Sequence, residues 1–172
     1  MKDILKEVYQ HCLDMQKIAE TKNAGLIAFN GAIILTVMKL LIDGNLNCYF
    51  HYYLFYALTC SLVSTFLNLS AISAQLKHKE LDISNYKSQN LLFFGTIANY
   101  SPEDYLKQIK VEYKIDEIIS KYHLDMARQV IINAQISLRK FKLFNSAFKW
   151  TIAGIATPLS VIVYLIFFDN NK

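Results

Sequence analysis

Three stretches of the chain are almost free of charged side chains, whereas the rest mixes charged and apolar positions. No Asp, Glu, Lys or Arg occurs from Gly44 through Leu76 or from Trp150 through Phe168, and only Lys39 lies between Ala24 and Ile42. At about 1.5 Å per residue, a helix over residues 23–42 is roughly 30 Å long, which matches the hydrocarbon core of a bilayer. The pattern predicts transmembrane helices over 23–42, 52–76 and 150–168.

The alternative for these stretches is the buried core of a soluble bundle, where long apolar helices also occur. We favour the membrane because a soluble core helix rarely stays uncharged on every face for about twenty residues. Lys39 is near the end of the first stretch, so its side chain can extend to the interface. A cleavable signal is disfavoured, because polar, amphipathic residues precede the stretch and no small-residue cleavage pattern follows it.

The distribution of basic residues predicts the orientation. Lysine and arginine are concentrated before the first span and between the second and third, whereas the connection around Asp43–Cys48 has none. The positive-inside rule therefore places the N terminus and residues 77–149 in the cytoplasm and the C terminus outside. We therefore attribute the net charge of +4 mainly to the basic residues that set the membrane topology. We expect no nucleic-acid partner, because the basic residues alternate with acids and form no basic stripe.

Residues 1–22 have the pattern of a cytoplasmic amphipathic helix. Its apolar positions follow a 3-4-3-4 spacing that forms one seam: Leu5, Val8, Cys12, Met15 and Ala19. Its mixed charge favours packing against another helix over lying on the membrane surface. Residues 77–101 are predicted as a cytoplasmic connection, in which the apolar patch Asn90–Tyr100 packs onto the bundle.

A long cytoplasmic helix is predicted over residues 102–149. Ser101 is a good N-cap, Pro102 suits the first helical position, and nothing typical of a helix end follows before Gly154. Such a helix extends roughly 70 Å and leads directly into the third span. The fold expected is an all-α membrane protein with three transmembrane helices and a long helical cytoplasmic stalk or bundle.

No catalytic arrangement is visible in the sequence. It lacks a Gly-rich phosphate loop, Cys-x-x-Cys, His-Glu-x-x-His and the nucleophile-elbow motif. The cysteines and histidines have no metal-ligand spacing. We therefore expect neither an enzyme, nor a cofactor, nor a metal site.

The informative polar residues lie within the predicted spans. Asn30 belongs to the first span, and the second carries a polar stripe at helical spacing: Ser61, Ser64, Thr65, Asn68 and Gln75. One interpretation is close helix packing with interhelical hydrogen bonds, worth about 0.6 kcal/mol each. The other is that the stripe lines a water-filled path when subunits assemble. Both stay open here, with Asn68 the strongest single candidate.

Three segments resemble the membrane-spanning Pycsar effectors, a family of bacterial antiphage proteins. They are "AETKNAGLIAFNGAIILTV" (Ala19–Val37), "NLLFFGTIANYSPEDYL" (Asn90–Leu106) and "IISKYHLDMARQVI" (Ile118–Ile131). The resemblance implies an effector in the bacterial inner membrane, downstream of a cyclase that makes cyclic CMP or cyclic UMP. Such effectors impair the membrane and halt the infected cell.

The resemblance also implies a ligand, although the chain has no β-rich nucleotide-binding domain and no Gly-Glu…Arg phosphate cassette. A site has to be built from helices, or sensing falls to another component. A cyclic nucleotide offers one phosphate charge and a stackable base, which a basic residue and an aromatic ring can bind. The candidates are Lys22, Asn23, Phe94, Gly95, Lys121, Tyr122 and Arg128. Ordinary stalk packing is the alternative for each of them.

These expectations combine into a homo-oligomeric membrane effector that a signal opens. A non-conducting scaffold that anchors a partner complex through its stalk is the alternative from another class. A soluble, all-helical signalling protein is the third.

Overall fold

The computed structural model describes residues 1–42, 48–73 and 90–168, and the side chains of 1–42, 49–73 and 90–156. Every regular element in these ranges is a helix, which confirms the predicted all-α class. The helices are α1 (Lys2–Ile42), α2 (Cys48–Ile72), α3 (Phe94–Ile97), α4 (Pro102–Glu112) and α5 (Lys121–Phe168). Residues 43–47, which connect the first two predicted spans, and most of the 77–101 connection lie outside the described residues.

In the part of the chain that the structure describes, two helices are long and apolar enough to cross a membrane, namely α1 and the Tyr49–Ile72 part of α2. The predicted first span, 23–42, lies inside α1. The second helix begins four residues before the predicted 52, at Cys48, and ends at Ile72 instead of 76. The third predicted span, 150–168, is the last part of α5. Because most of its side chains lie outside the described set, its role as a span stays a prediction.

The chain divides into two compact units, each built from separate stretches of sequence. Unit 1 comprises Met1–Glu20 and Ala74–Phe141, and unit 2 comprises Thr21–Ser73 and Lys142–Lys172. Helices α1 and α5 contribute residues to both units.

Unit 1 has a tightly packed core formed by α1, α3, α4 and α5. Of the seam predicted for the first helix, Leu5 and Cys12 are fully buried and Val8 nearly so. The predicted patch 90–100 packs onto this core through α3. The fully buried Tyr105 donates a hydrogen bond to the Leu91 carbonyl at 3.0 Å, which satisfies its phenol in an apolar surrounding. Burial raises the pKa of this phenol.

The prediction of one continuous helix over 102–149 is wrong. Its start is as expected, because the Ser101 hydroxyl accepts the Asp104 backbone N–H at 3.2 Å. However, α4 ends at Glu112 and α5 begins only at Lys121. Lys114 has a φ of 50°, and the Ile115 N–H bonds to the Lys110 carbonyl at 3.0 Å. This is a Schellman helix end.

This helix end is not predictable from the local sequence, because the residue in the left-handed conformation is Lys114, where glycine is usual. Ile115, the residue after it, is half-buried against the unit 1 core. Tertiary packing of that side chain therefore stabilises a turn that local propensity disfavours.

Candidate functional site

The polar stripe predicted on α2 lies on the buried face of that helix in unit 2. Buried positions lie at helical spacing along one face of α2: Leu54, Ala57, Cys60, Ser61, Ser64, Asn68 and Ala71. Asn23 and Asn30 of α1 and Thr151 of α5 are buried in the same unit. We call Asn23, Asn30, Ser61, Ser64, Asn68 and Thr151 the polar seam.

Three members of the polar seam form a closed ring of hydrogen bonds that joins three helices. Asn30 Nδ2 donates to Ser64 Oγ at 2.8 Å, and Thr151 Oγ1 donates to Asn30 Oδ1 at 3.0 Å. The two hydroxyl oxygens are 2.8 Å apart. Because a hydroxyl has one proton and that of Thr151 is directed to Asn30, Ser64 is the donor of this third bond. We call this the hydroxyl–amide ring. Each member both donates and accepts, so the ring satisfies buried polar groups that are costly to leave unbonded.

Asn68 is fully buried one turn after Ser64 on α2. Its Nδ2 donates to the Ser64 carbonyl at 2.9 Å, whereas its Oδ1 is buried and has no hydrogen-bond partner among the described residues. Thr65 is half-buried and donates to the Ser61 carbonyl of its own helix at 2.8 Å. Gln75, the last residue of the predicted stripe, lies outside the described residues. The interhelical hydrogen bonds expected from close packing are present, and a pore-lining role stays a prediction.

Helices α2 and α5 approach each other closely at Gly154. A Cβ placed on this glycine lies 2.9 Å from the Cys60 Cβ and 3.5 Å from the Ala57 carbonyl oxygen. Small residues at such contacts let helix backbones pack tightly in a membrane. The contact lies three residues after Thr151, which places α5 within hydrogen-bonding reach of the other two helices.

The seven predicted ligand residues are divided between the two units. Lys22 and Asn23 belong to unit 2, whereas the other five belong to unit 1. Asn23 is fully buried, and the Lys22 ammonium lies 5.9 Å from the Phe144 ring centroid. Such a contact is a cation–π interaction, which favours a packing role for Lys22.

Phe94 and Gly95 are covered by protein. Phe94 is buried in the unit 1 core and stacks on Phe141, with ring centroids 5.5 Å apart. A Cβ placed on Gly95 lies 2.5 Å from the Phe93 ring, so this glycine is needed for that ring to pack over the backbone. Neither residue offers a surface on which a base can stack.

Lys121, Tyr122 and Arg128 are exposed near the start of α5. The Lys2 ammonium lies 5.5 Å from the Tyr122 ring centroid, and Arg128 Nη1 lies 3.8 Å from Asp125 Oδ1. Tyr122 also lines an open cleft of about 1060 Å³ in unit 1. The acidic residues that line the same cleft are Asp3, Glu7 and Asp14, and the lysine that lines it is Lys6.

Two functional-looking pairings were not anticipated from the sequence. The first is Thr151, which closes the hydroxyl–amide ring and was not among the candidate residues named from the sequence. The spacing of Ala147, Thr151 and Gly154, all buried, is the signal that points to the buried face of α5. The second pairing is Lys140 with Glu20 in unit 1, where Lys140 is 8% exposed.

The Glu20–Lys140 pair joins α1 to α5. The hydrogen bond from Lys140 holds the pKa of the Glu20 carboxyl below its ordinary value. A lysine this buried requires a paired charge, because desolvation of a lone ammonium is costly. Within the described residues, no group of three or more His, Cys, Asp or Glu is placed to hold a metal ion.

Comparison with known proteins gives consistent matches. A family model described as the Pycsar effector protein domain matches residues 4–167. The Pycsar effector protein RsPycTM of a Rhizobium species is 32% identical over 142 residues, covering 78% of this chain and 79% of that protein. GmPycTM of Gulbenkiania mobilis, also a Pycsar effector protein, is 37% identical over 87 residues. That match covers 51% of this chain and 37% of the relative's length. No solved structure matches the chain.

Proposed function

Because the chain belongs to the Pycsar effector family of antiphage effectors, we propose that it defends the cell by impairing the bacterial inner membrane. The impairment is depolarisation through a pore, set off by cyclic CMP or cyclic UMP. The observation that carries this proposal is the polar seam, because six buried polar side chains in a unit built from apolar helices are costly in lipid.

The proposed topology has three spans, 23–42, 52–76 and 150–168, with the N terminus in the cytoplasm and the C terminus outside. Large apolar side chains on the outer face of α2 are suited to lipid: Tyr52, Phe55, Leu62, Phe66 and Leu69 are 51–71% exposed. This outward apolar and inward polar arrangement supports a membrane solvent for unit 2.

In the proposed closed state, the hydroxyl–amide ring holds α1, α2 and α5 together. Opening breaks the ring and turns its oxygens towards a water-filled path. Helices α1 and α5 contribute to both units, so a repacking of unit 1 has a covalent route to the spans. This mechanism requires no enzymatic activity and no cofactor.

The proposed pore is made of several copies of the chain. The side chains of Ala24, Ala28 and Ala32 share one exposed stripe of α1, and nothing lies within 4 Å of a Cβ built on the neighbouring Gly25. Such small-residue stripes pack against other helices more readily than against lipid tails. Contact between copies along this stripe accounts for its composition.

For the trigger, we place the nucleotide contact at Lys121, Tyr122 and Arg128. What supports this choice is that the three are exposed and close in sequence on one helix, with two cations and one aromatic ring. The body of the neighbouring cleft is less suitable for an anion, because three carboxylates line it.

A double substitution tests the proposed pore. Asn68→Leu with Ser64→Leu removes the polar groups of α2 from the seam, so triggered depolarisation should be lost while membrane insertion is kept. Cells carrying the cyclase signal and a voltage-sensitive dye provide the measurement. The matched control is Thr59→Leu with Ser70→Leu, whose hydroxyls donate to the Phe55 and Phe66 carbonyls of their own helix.

Unchanged depolarisation in an inserted Asn68→Leu, Ser64→Leu protein removes the polar seam from the mechanism. The scaffold alternative predicts that the wild-type chain never depolarises cells under any signal. Recovery of the protein in the cytosolic fraction without detergent contradicts the membrane topology itself.

A further inference from the structure

The hydrogen-bonding capacity left over in the polar seam is that of an acceptor. In the hydroxyl–amide ring, the Asn30 amide and both hydroxyls donate to protein oxygens. The Asn68 nitrogen also has an acceptor, the Ser64 carbonyl. Asn68 Oδ1, in contrast, is a buried oxygen that receives no proton from the described residues. Leaving such an oxygen unbonded costs about 1–3 kcal/mol.

The partner of this oxygen must be small. Asn68 is fully buried within unit 2, so a lipid headgroup, a peptide or a nucleotide cannot reach it in the closed arrangement. An oxygen acceptor suits a proton donor or a hard cation, and repels an anion. The buried residues described in unit 2 include no lysine or arginine. The buried Lys140 belongs to unit 1.

We infer that Asn68 Oδ1 is a coordination point for monovalent cations in the conducting state and makes the leak selective for cations. This inference rests on the proposed pore and adds its selectivity. In the closed state the oxygen faces the protein interior. When the ring opens, Asn68 presents a carbonyl dipole to the path, as rings of oxygens do in cation pathways.

The test uses purified full-length protein in liposomes with a KCl gradient, opened by adding cyclic CMP or cyclic UMP. The reversal potential gives the ratio of K⁺ to Cl⁻ permeability. Wild-type protein should favour K⁺. Asn68→Ala should lower the ratio roughly threefold, because the energy of one interhelical polar contact corresponds to about that factor. Asn68→Asp should raise it, because a carboxylate attracts cations more strongly than an amide does.

The matched control is Asn133→Asp. Asn133 in α5 donates to the carbonyl four residues earlier, Gln129, at 2.9 Å, which is the same local bond that Asn68 makes. It belongs to unit 1, so its substitution introduces the same charge without touching the polar seam. Its permeability ratio should equal that of wild type.

The outcomes separate this inference from the proposed function. Absence of any nucleotide-opened current in wild type contradicts the pore, and the selectivity with it. A current with equal K⁺ and Cl⁻ permeability in wild type overturns the inference alone. So does a ratio that is unchanged in Asn68→Ala. The wild-type and alanine measurements decide the matter even if Asn68→Asp fails to insert.

Discussion

A single hydroxyl decides whether the hydroxyl–amide ring closes. Thr151 is 2% exposed and its oxygen both donates to Asn30 and accepts from Ser64. Removing that oxygen leaves the Asn30 carbonyl without its donor and Ser64 without its acceptor. A buried hydroxyl of this kind stabilises the protein mainly by satisfying the hydrogen bonds of its partners, and less by the burial of its own surface.

We expect Thr151→Val to lower the free energy of unfolding of unit 2 by about 1 kcal/mol, because two interhelical hydrogen bonds are lost at nearly constant volume. Equilibrium unfolding in mixed detergent micelles, followed by the fluorescence of the adjacent Trp150, measures the change. Trp150 is the single tryptophan of the chain, so its signal reports on this unit. Thr59→Val, on the exposed face of α2, should change the value by less than about 0.5 kcal/mol. Equal effects of the two substitutions contradict the role of the ring.

At the scale of elements, the contact between α2 and α5 depends on a missing side chain. Gly154 lies against Cys60 and the Ala57 backbone, whereas nothing lies within 4 Å of a Cβ built on Gly31 of α1. Both glycines are in helices, where alanine is intrinsically preferred by about 1 kcal/mol. The same substitution should therefore have opposite effects at the two positions.

Gly154→Ala should destabilise unit 2 by about 1–3 kcal/mol, because the added methyl group overlaps Cys60 and forces the helices apart. Gly31→Ala should be neutral or stabilising by up to about 1 kcal/mol. The same unfolding measurement distinguishes them. A stabilised Gly154→Ala protein is incompatible with the close contact between the two helices.

At the scale of the whole molecule, the two long helices are tied together within unit 1 by Glu20 and Lys140. These residues are 120 positions apart in sequence, and the pair connects the N-terminal helix to the C-terminal one. Lys140 is the buried partner, whereas the Glu20 side chain is 45% exposed. The pair therefore stabilises unit 1 mainly by neutralising a buried ammonium.

The Glu20–Lys140 pair makes the stability of unit 1 dependent on pH. Because Lys140 lowers the pKa of Glu20 in the folded protein, its contribution is complete above the unfolded glutamate pKa of about 4.3. It is lost as the pH falls through the lower, folded pKa. We expect thermal unfolding, followed by circular dichroism at about pH 6 and about pH 3, to show a smaller pH dependence in Glu20→Gln than in wild type. Glu7→Gln, an exposed change on the same helix, should keep the wild-type dependence. An unaltered pH dependence in Glu20→Gln rules out the coupling.

What the sequence determines here is local. Three patterns depend only on neighbouring residues: charge-free stretches of bilayer length, a 3-4-3-4 seam and a Ser-Pro helix start. The all-α class, two candidate spans, the buried face of α1 and the Ser101 cap were therefore predictable. The polar stripe of α2 was found because Ser61, Ser64 and Asn68 share one face at helical spacing.

Tertiary structure alone decided which of these faces meet. Thr151 reaches Asn30 across 121 residues only because rotation and axial position of three helices agree, and no periodicity within one helix specifies that register. The helix end at Lys114 is held by packing of Ile115, and Phe94 and Gly95 are covered by rings whose position the local sequence does not reveal. Local patterns define faces and lengths, but a hydrogen-bond partner on another helix depends on the packing of both, which is a property of the folded chain.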